Sequence, residues 1–233
     1  MPYLDQIAEL GYKTSDERRE LICSRLEQLA IPYRLQKGAG GVNNIIVPAS
    51  QKGTPKIVLC AHYDVYPGSS GYYDNGAAVA MLLDMAPTLQ AFPQVEILFL
   101  DQEESGGLGS EHYLSSSYGK NILLAINLDI IGLPDTVYYS ATQNCPSQTT
   151  SLLNDAGALC VRYPFCDFNI FECQNIPAIS VITTGAGNFS TQLARSYECM
   201  HCGKDDGRLE LLDAKMIAHV ATLVTTIIHS MKG

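Results

Sequence analysis

The chain contains no block of basic residues. Lysine and arginine total 15 against 24 acidic side chains, for a net charge of −9, so there is no electrostatic footprint for nucleic acid. It also lacks an apolar run long enough to span a membrane. Its start, Met1-Pro-Tyr-Leu-Asp-Gln6, has no basic segment followed by an apolar one, so no secretory leader is visible. The expectation is a soluble, cytoplasmic protein, although a secreted chain trimmed of its leader would read the same way. No internal repeat, low-complexity tract or linker interrupts it. Charged residues are few, 17% against 46% hydrophobic. That balance supplies a buried core and excludes a disordered chain. The acidic excess weakly favours a cationic partner, such as the free amino terminus of a peptide.

Cysteine is not scarce, but its pattern excludes a disulfide scaffold. Eight cysteines in a leaderless chain of 233 residues are expected to stay reduced. Cys23 falls in a predicted helix and Cys60 in a predicted strand, as core packing would place them. Cys199-x-x-Cys202 could be half of a zinc knuckle, but no second pair stands at matching spacing.

Helical spacing of Leu21, Ile22, Leu26 and Leu29 predicts a helix over residues 15–29 with Ser15 as N-cap. Residues 44–48 and 56–61 read as strands, separated by the turn Gly53-Thr-Pro55. A helix follows at 75–90, a strand at 95–100, a turn and helix between Gly106 and Ser117, and a buried strand at 122–130. Shorter strands are expected at 136–140 and 178–183, helices near 148–158 and at 213–231. Alternation of strand and helix argues for an α/β three-layer sandwich with a mostly parallel, mixed central sheet flanked by helices. Sites in such folds form at the carboxyl ends of strands. His62, Glu103, Glu104 and Asp129 all fall there.

Those residues belong to a larger constellation. Cys60-Ala-His62-Tyr-Asp64 is followed by Asp74-Asn-Gly-Ala-Ala78 and Asp101-Gln-Glu103-Glu104, each between an apolar run and a turn. Asp129 and His201 lie downstream. Imidazole and carboxylate at strand-to-loop junctions are zinc-site material. His62 and Asp64, two apart, point to one side of a strand, which suits a ligand and the carboxylate that orients it. A His-x-Asp alone is common at strand ends. Asp74 is either an N-cap for the following helix or a carboxylate bridging two metals. Glu103 and Glu104 repel at the end of a buried strand unless a cation or a retained proton intervenes. A metal resolves this, with Glu104 as ligand and Glu103 accepting a proton from water. Asp129 in so apolar a run is costly unless paired. His201 lies in a polar loop, where a lone histidine would be inert. His112, His219 and His229 fall on predicted helices and read as surface or packing residues.

In order and spacing, His62-x-Asp64, Asp74-Asn75, Glu103-Glu104, Asp129 and His201 resemble the co-catalytic di-zinc aminopeptidases of metallopeptidase family 28, clan MH. The likeness runs from about residue 44 to the end. Glu103-Glu-Ser-Gly-Gly-Leu-Gly-Ser110 and Asn127-Leu-Asp-Ile-Ile-Gly132 resemble the family's blocks almost position for position. The resemblance implies a zinc exopeptidase fold of the phosphorylase/hydrolase-like type, with residues 1–233 as a single catalytic domain and 1–43 as its N-terminal helix and lead-in. It implies two zinc ions, one held by His62 and Asp129, the other by Glu104 and His201, with Asp74 bridging. Asp64 would orient His62. Glu103 would be the general base acting on a metal-bridging water and would then pass the proton to the leaving amine. The implied substrate is a peptide, cleaved at its amino terminus. Two departures fall around the presumed specificity pocket: Cys202 replaces a frequent threonine, and Cys166-Asp167-Phe-Asn-Ile-Phe171 replaces a frequent Ser-Asp-His. Arg195 is the one candidate clamp for a substrate carboxylate. The oligomeric state is open.

His62-Tyr-Asp-Val-Tyr-Pro67 also echoes the family 20 carboxypeptidases and deacylases. Those carry an inserted domain of roughly a hundred residues, for which the 71 residues between Asp129 and His201 leave no room. Glutaminyl cyclases share the fold and most ligand positions but work with one zinc and catalyse intramolecular acyl transfer. A non-catalytic binding module of the same fold is the third alternative.

Overall fold

In the computed structural model, which describes residues 3–51, 53–162 and 166–231, one mixed sheet organises the chain. Its strands are β1 (Arg34–Lys37), β2 (Asn43–Val47), β3 (Lys56–His62), β4 (Val95–Leu100), β5 (Ile122–Leu128), β6 (Thr136–Ala141), β7 (Leu159–Cys160) and β8 (Ala178–Thr184). Their spatial order is β1-β2-β4-β3-β5-β8-β6-β7. The central four, β4-β3-β5-β8, run parallel. β2 joins β4 antiparallel and β6 joins β8 antiparallel, so the sheet is mixed towards both edges.

The helices are α1 (Tyr3–Leu10), α2 (Ser15–Gln28), α3 (Ala77–Leu89), α4 (Leu108–Ser115), α5 (Ser147–Asp155), α6 (Asp167–Cys173), α7 (Phe189–Ser196) and α8 (Ala214–Ser230). Strand alternation divides the core into two layers. From β3, Ile57, Leu59 and Ala61 join Ile7, Ile22, Leu26 and Val224 of α1, α2 and α8 on one face. Val58 and Cys60 join Tyr113, Leu114, Phe168 and Phe171 of α4 and α6 on the other. This is the three-layer α/β arrangement expected from the alternation of elements. Among the described residues no helix is long and apolar enough to cross a membrane.

α2 begins at Ser15, but its N-cap is Thr14 rather than Ser15. Thr14 Oγ1 accepts from Glu17 N, and Glu17 Oε2 accepts from Thr14 N at 2.8 Å, a reciprocal capping box. α3 starts at Ala77, two residues later than expected, because residues 72–76 form a separate wide turn. α3 is apolar nearly all round and buried accordingly. α1, β1, β7, α6 and α7 were not anticipated. Among the described residues no cysteine is in a disulfide: Cys60 is buried as expected, whereas Cys23 is only half-buried.

Two close approaches fix how the helices meet the site. Gly109 lets α4 lie against Asp101, whose carbonyl oxygen a Cβ at that position would strike. Arg18, 1% exposed on α2, lies under the loop that follows β3. Its guanidinium donates to the carbonyls of Leu10 at 3.0 Å, Tyr63 at 3.3 Å, Ser70 at 3.1 Å and Gly71 at 3.0 Å. A side chain at Gly71, where φ is +62°, would collide with it. Arg18→Ala takes a donor from all four carbonyls; those of Ser70 and Gly71 keep the amides of Tyr12 and Gly76, so the loss falls on Leu10 and Tyr63, at about 1–3 kcal/mol each. The variant is expected to lose about 3 kcal/mol or more of unfolding free energy, read as a lower urea midpoint.

Candidate metal centre

β4, β3 and β5 lie side by side, run parallel and stop at one edge of the sheet. Each delivers donor side chains where its ladder ends. β3 finishes on His62, with Asp64 two residues on. β4 gives way to the turn bearing Glu103 and Glu104. Asp129 directly follows β5. Their convergence follows from parallel pairing, which brings equivalent ends of the strands together.

Asp74 arrives from the turn at 72–76, which is tied down on both sides. Tyr73 Oη donates to the Thr183 carbonyl in β8 at 2.7 Å, and Asn75 Nδ2 to the Leu128 carbonyl at the end of β5 at 2.8 Å. So held, Asp74 places Oδ1 2.9 Å from His62 Nε2 and Oδ2 3.0 Å from His201 Nε2. His62 Nε2 is also 3.7 Å from Asp129 Oδ1, and His201 Nε2 is 3.2 Å from Glu104 Oε2. Two donor sets result, His62–Asp74–Asp129 and Asp74–Glu104–His201, each with its ligand atoms within 4.8 Å of one another. Asp74 belongs to both. It does not cap α3, whose N-cap is Gly76.

Asp64 supports both halves. Its carboxylate accepts from Glu103 N at 3.0 Å and Glu104 N at 3.1 Å, and lies 3.4 Å from His62 Nδ1. One side chain thus orients an imidazole and pins the Glu103–Glu104 turn. Asp101 stands apart, its Oδ2 accepting from Asn43 N at 2.8 Å.

The residues fit a divalent metal on three counts. The donors are imidazole nitrogen and carboxylate oxygen, the set zinc takes. His201 Nε2 and Glu104 Oε1 are buried without hydrogen-bond partners. The 3.0 and 3.2 Å approaches of His201 Nε2 to carboxylate oxygens lack hydrogen-bond angles, and buried polar atoms in that state call for an ion or a water. The third count is electrostatic. Burial pushes the Glu103 carboxyl well above the usual carboxylate range; His62 opposes this, and Asp129, Asp167 and Asp74 add to it. Burial acts to neutralise His62, yet Asp129, Asp64 and Asp74 hold its pKa well up. Burial would likewise raise Asp74, but His201 and His62 overrule it and keep its carboxyl low. The carboxylates therefore demand positive charge between them, which protonated imidazoles or metal cations can supply.

Several contributors escaped sequence reading. Asp167 is buried, accepts from Ser110 Oγ at 2.6 Å, and is pushed by burial to about 7 against the pull of His62. The block Cys166-Asp167-Phe-Asn-Ile-Phe171 marks it for the specificity pocket rather than for this cluster. Asn75 stands in the Asp74-Asn75 motif with no role assigned to it there, and Arg18 leaves no signal. Burial lowers Arg18 to about 10, with Asp74, Asp64 and Glu104 pulling it back, so it remains a cation beneath the cluster. Tyr66 stacks on His201 at 4.7 Å and Tyr197 meets the ring at 6.3 Å. At 43% and 44% exposed, these two rings border the approach to His201. Arg195 is exposed in a cleft with Glu198 and Asp205 and adds nothing to either donor set. Neither Cys199 nor Cys202 joins a candidate metal cluster among the described residues. Of the three histidines read as surface or packing residues, His112 lies against Gly38, His229 is exposed with its ring against Phe92, and His219 is exposed.

A parallel-centred α/β sheet with these donors at its carboxyl edge has the zinc-exopeptidase fold. The chain belongs to Peptidase family M28, whose profile matches residues 44–227. Aminopeptidase YwaD of Bacillus subtilis is 35% identical over 91 residues, covering 36% of this chain and 20% of that protein. The chain thus matches only a fifth of that curated relative's length. The zinc aminopeptidase structure from Bacillus subtilis superposes with a TM-score of 0.65 at 25% identity, over 81% of this chain and 49% of that one. The glutaminyl cyclase of Porphyromonas gingivalis superposes at 0.76 with 18% identity, over 98% and 95%. At 18% identity the last likeness establishes the fold alone.

Asp64→Ala is expected to weaken zinc binding about 10- to 100-fold, the range for a carboxylate that orients a ligating histidine. Competition with a chromophoric chelator measures it.

Proposed function

We propose that this chain is a metal-dependent exopeptidase that hydrolyses amino-terminal residues from peptides, with two zinc ions held by His62, Asp74, Asp129, Glu104 and His201. The observation that carries the reading is the placement of Asp74, whose two oxygens address two imidazoles at 2.9 and 3.0 Å and so complete two donor sets at once. When bound, the ions supply Lewis acidity, polarising the scissile carbonyl and acidifying water.

The chain's own residues do the rest. Glu103 lies next to ligand Glu104 and within the field of His62, Asp129 and Asp74. Cations at the two donor sets would relieve the repulsion on its carboxyl and leave it ionised. Glu103 then takes a proton from the attacking water and delivers it to the amine as the C–N bond breaks. Asp64 keeps the Glu103–Glu104 turn and the His62 ring in register. The acidic chain, net −9, attracts a cationic amino terminus. Tyr66 and Tyr197 offer apolar surface beside it.

A second reading is favoured by one observation. The full-length structural likenesses include glutaminyl cyclases, at 98% coverage of this chain for that of Porphyromonas gingivalis. In that chemistry a single zinc would serve, and Glu103 would move a proton from the substrate's amino group to departing ammonia. The completeness of the His62–Asp74–Asp129 set supports the hydrolytic reading instead.

Glu103→Gln is expected to lower kcat by about 10²–10⁴-fold on aminoacyl p-nitroanilides with zinc content unchanged. Full activity in this variant would remove Glu103 from the mechanism. Elemental analysis should find two zinc equivalents per chain in the wild type and fewer in Asp74→Asn. One equivalent in the wild type, with ammonia released from a glutaminyl peptide, would establish the cyclase reading.

A further inference from the structure

The two donor sets do not rest on equal supports. His62 and Asp129 stand at the ends of hydrogen-bonded strands, and Asp74 is tied to the same sheet through Tyr73 and Asn75. His201 has no such base. It lies in the segment between α7 and α8, outside any strand. There His201 has φ +51° and Cys202 φ +63°. Two successive non-glycine residues in the left-handed region persist only when their surroundings hold them.

The turn is closed by its own backbone bond, Gly203 N to the Met200 carbonyl at 2.9 Å, and one carboxylate ties it to the rest of the site. Asp206 accepts from Cys202 N at 2.8 Å. The same carboxylate accepts from Ser69 Oγ at 2.7 Å, from Ser70 N at 3.1 Å and from Ser70 Oγ. Ser69 and Ser70 belong to the loop leading into the Asp74 turn. Ser70 is fixed from its other side too, because its carbonyl accepts from Arg18 Nη2 at 3.1 Å and from Tyr12 N at 2.9 Å. Cys202 Sγ adds a weak bond to the Pro67 carbonyl at 3.6 Å. Asp206 therefore joins the segment bearing His201 to the one arm of the site already anchored on buried Arg18.

We infer that Asp206 is a positioning residue that sets His201 against Asp74 and so governs the Asp74–Glu104–His201 site selectively, leaving the His62–Asp74–Asp129 site on its own strand supports. This rests on the proposed reading that both donor sets bind metal. Removing the carboxylate frees the Cys202 amide and both serines, so the left-handed turn keeps its own Gly203–Met200 bond but loses its main tie to the Ser69–Ser70 loop. The strand-borne set keeps every bond described above. An asymmetric loss of metal is the signature, because a general loss of structure would weaken both sites together.

The test is zinc titration of the metal-free full chain in competition with a chromophoric chelator, for wild type, Asp206→Ala and Asp206→Asn, with thermal melting of each metal-free protein alongside. The wild type is expected to bind two equivalents. Asp206→Ala should keep one of the two wild-type affinities unchanged and bind the other equivalent about 10- to 100-fold more weakly, as loss of a ligand's supporting partner does. Asp206→Asn keeps an acceptor oxygen and should fall between. If Asp206→Ala melts too low to titrate, Ser70→Ala, which removes one of the hydroxyls Asp206 holds, should give the same asymmetric loss in a milder form. Two unchanged affinities in Asp206→Ala, or an equal loss at both sites in variants that melt like wild type, overturn the inference alone. A wild type that binds fewer than two equivalents overturns the two-metal reading and the inference with it.

Discussion

Mutual repulsion among carboxylates is the constraint to which the rest of the structure answers. Asp64, Asp74, Glu103, Glu104, Asp129 and Asp167 gather around His62 at the carboxyl edge of one sheet, largely shielded from water. Charges of one sign in such a place are unfavourable unless cations or protons lie between them. The fold answers in layers. Two imidazoles intercalate among the oxygens, the backbone amides of Glu103 and Glu104 neutralise Asp64, and the guanidinium of Arg18 underlies the cluster. What remains unsatisfied, the nitrogen of His201 and an oxygen of Glu104, is what a bound cation would satisfy.

The fold divides the work between rigid and adaptable parts. Parallel β4, β3 and β5 bring their ends together with no further instruction, since adjacent parallel strands in register must finish near one another. His62 and Asp129 gain their positions from that rule. Asp74 and His201 come from connections and need separate anchors. The Asp74 turn is bound to β5 and β8, and the His201 segment is bound through Asp206 to the Ser69–Ser70 loop that leads into that turn. Loops placed on a rigid scaffold are where functional groups concentrate, and here each such loop carries its own set of hydrogen bonds.

Metal-assisted attack at a carbonyl, the chemistry proposed for this member of Peptidase family M28, leaves the nucleophile open. Water and a substrate amino group can both be served by one carboxylate beside a Lewis acid. The choice lies with the number of ions and with the rim. Tyr66 and Tyr197 border His201 at that rim, and buried Asp167 joins the acidic cluster beneath.

The sequence by itself determined the alternation of elements, the parallel character of the sheet centre and the identity of the donors at strand ends. Those are local matters: short, near-continuous apolar runs in β3, β4 and β5, and polar residues placed just where each run stops. Short elements such as β7 and α6 carried too little periodicity to read and form because tertiary contacts hold them. The N-cap of α2 was misplaced by one residue because Thr14 and Ser15 are equally good caps and only the reciprocal bond to Glu17 distinguishes them. Tertiary structure alone decided that Asp74 faces two histidines, that Arg18 grips the loop after β3, that Asp167 joins the cluster and that Asp206 clasps two serines 136 and 137 residues away. Each is a contact between residues distant in the chain. No local pattern encodes such pairs; they follow only once the sheet has fixed where its connections must cross.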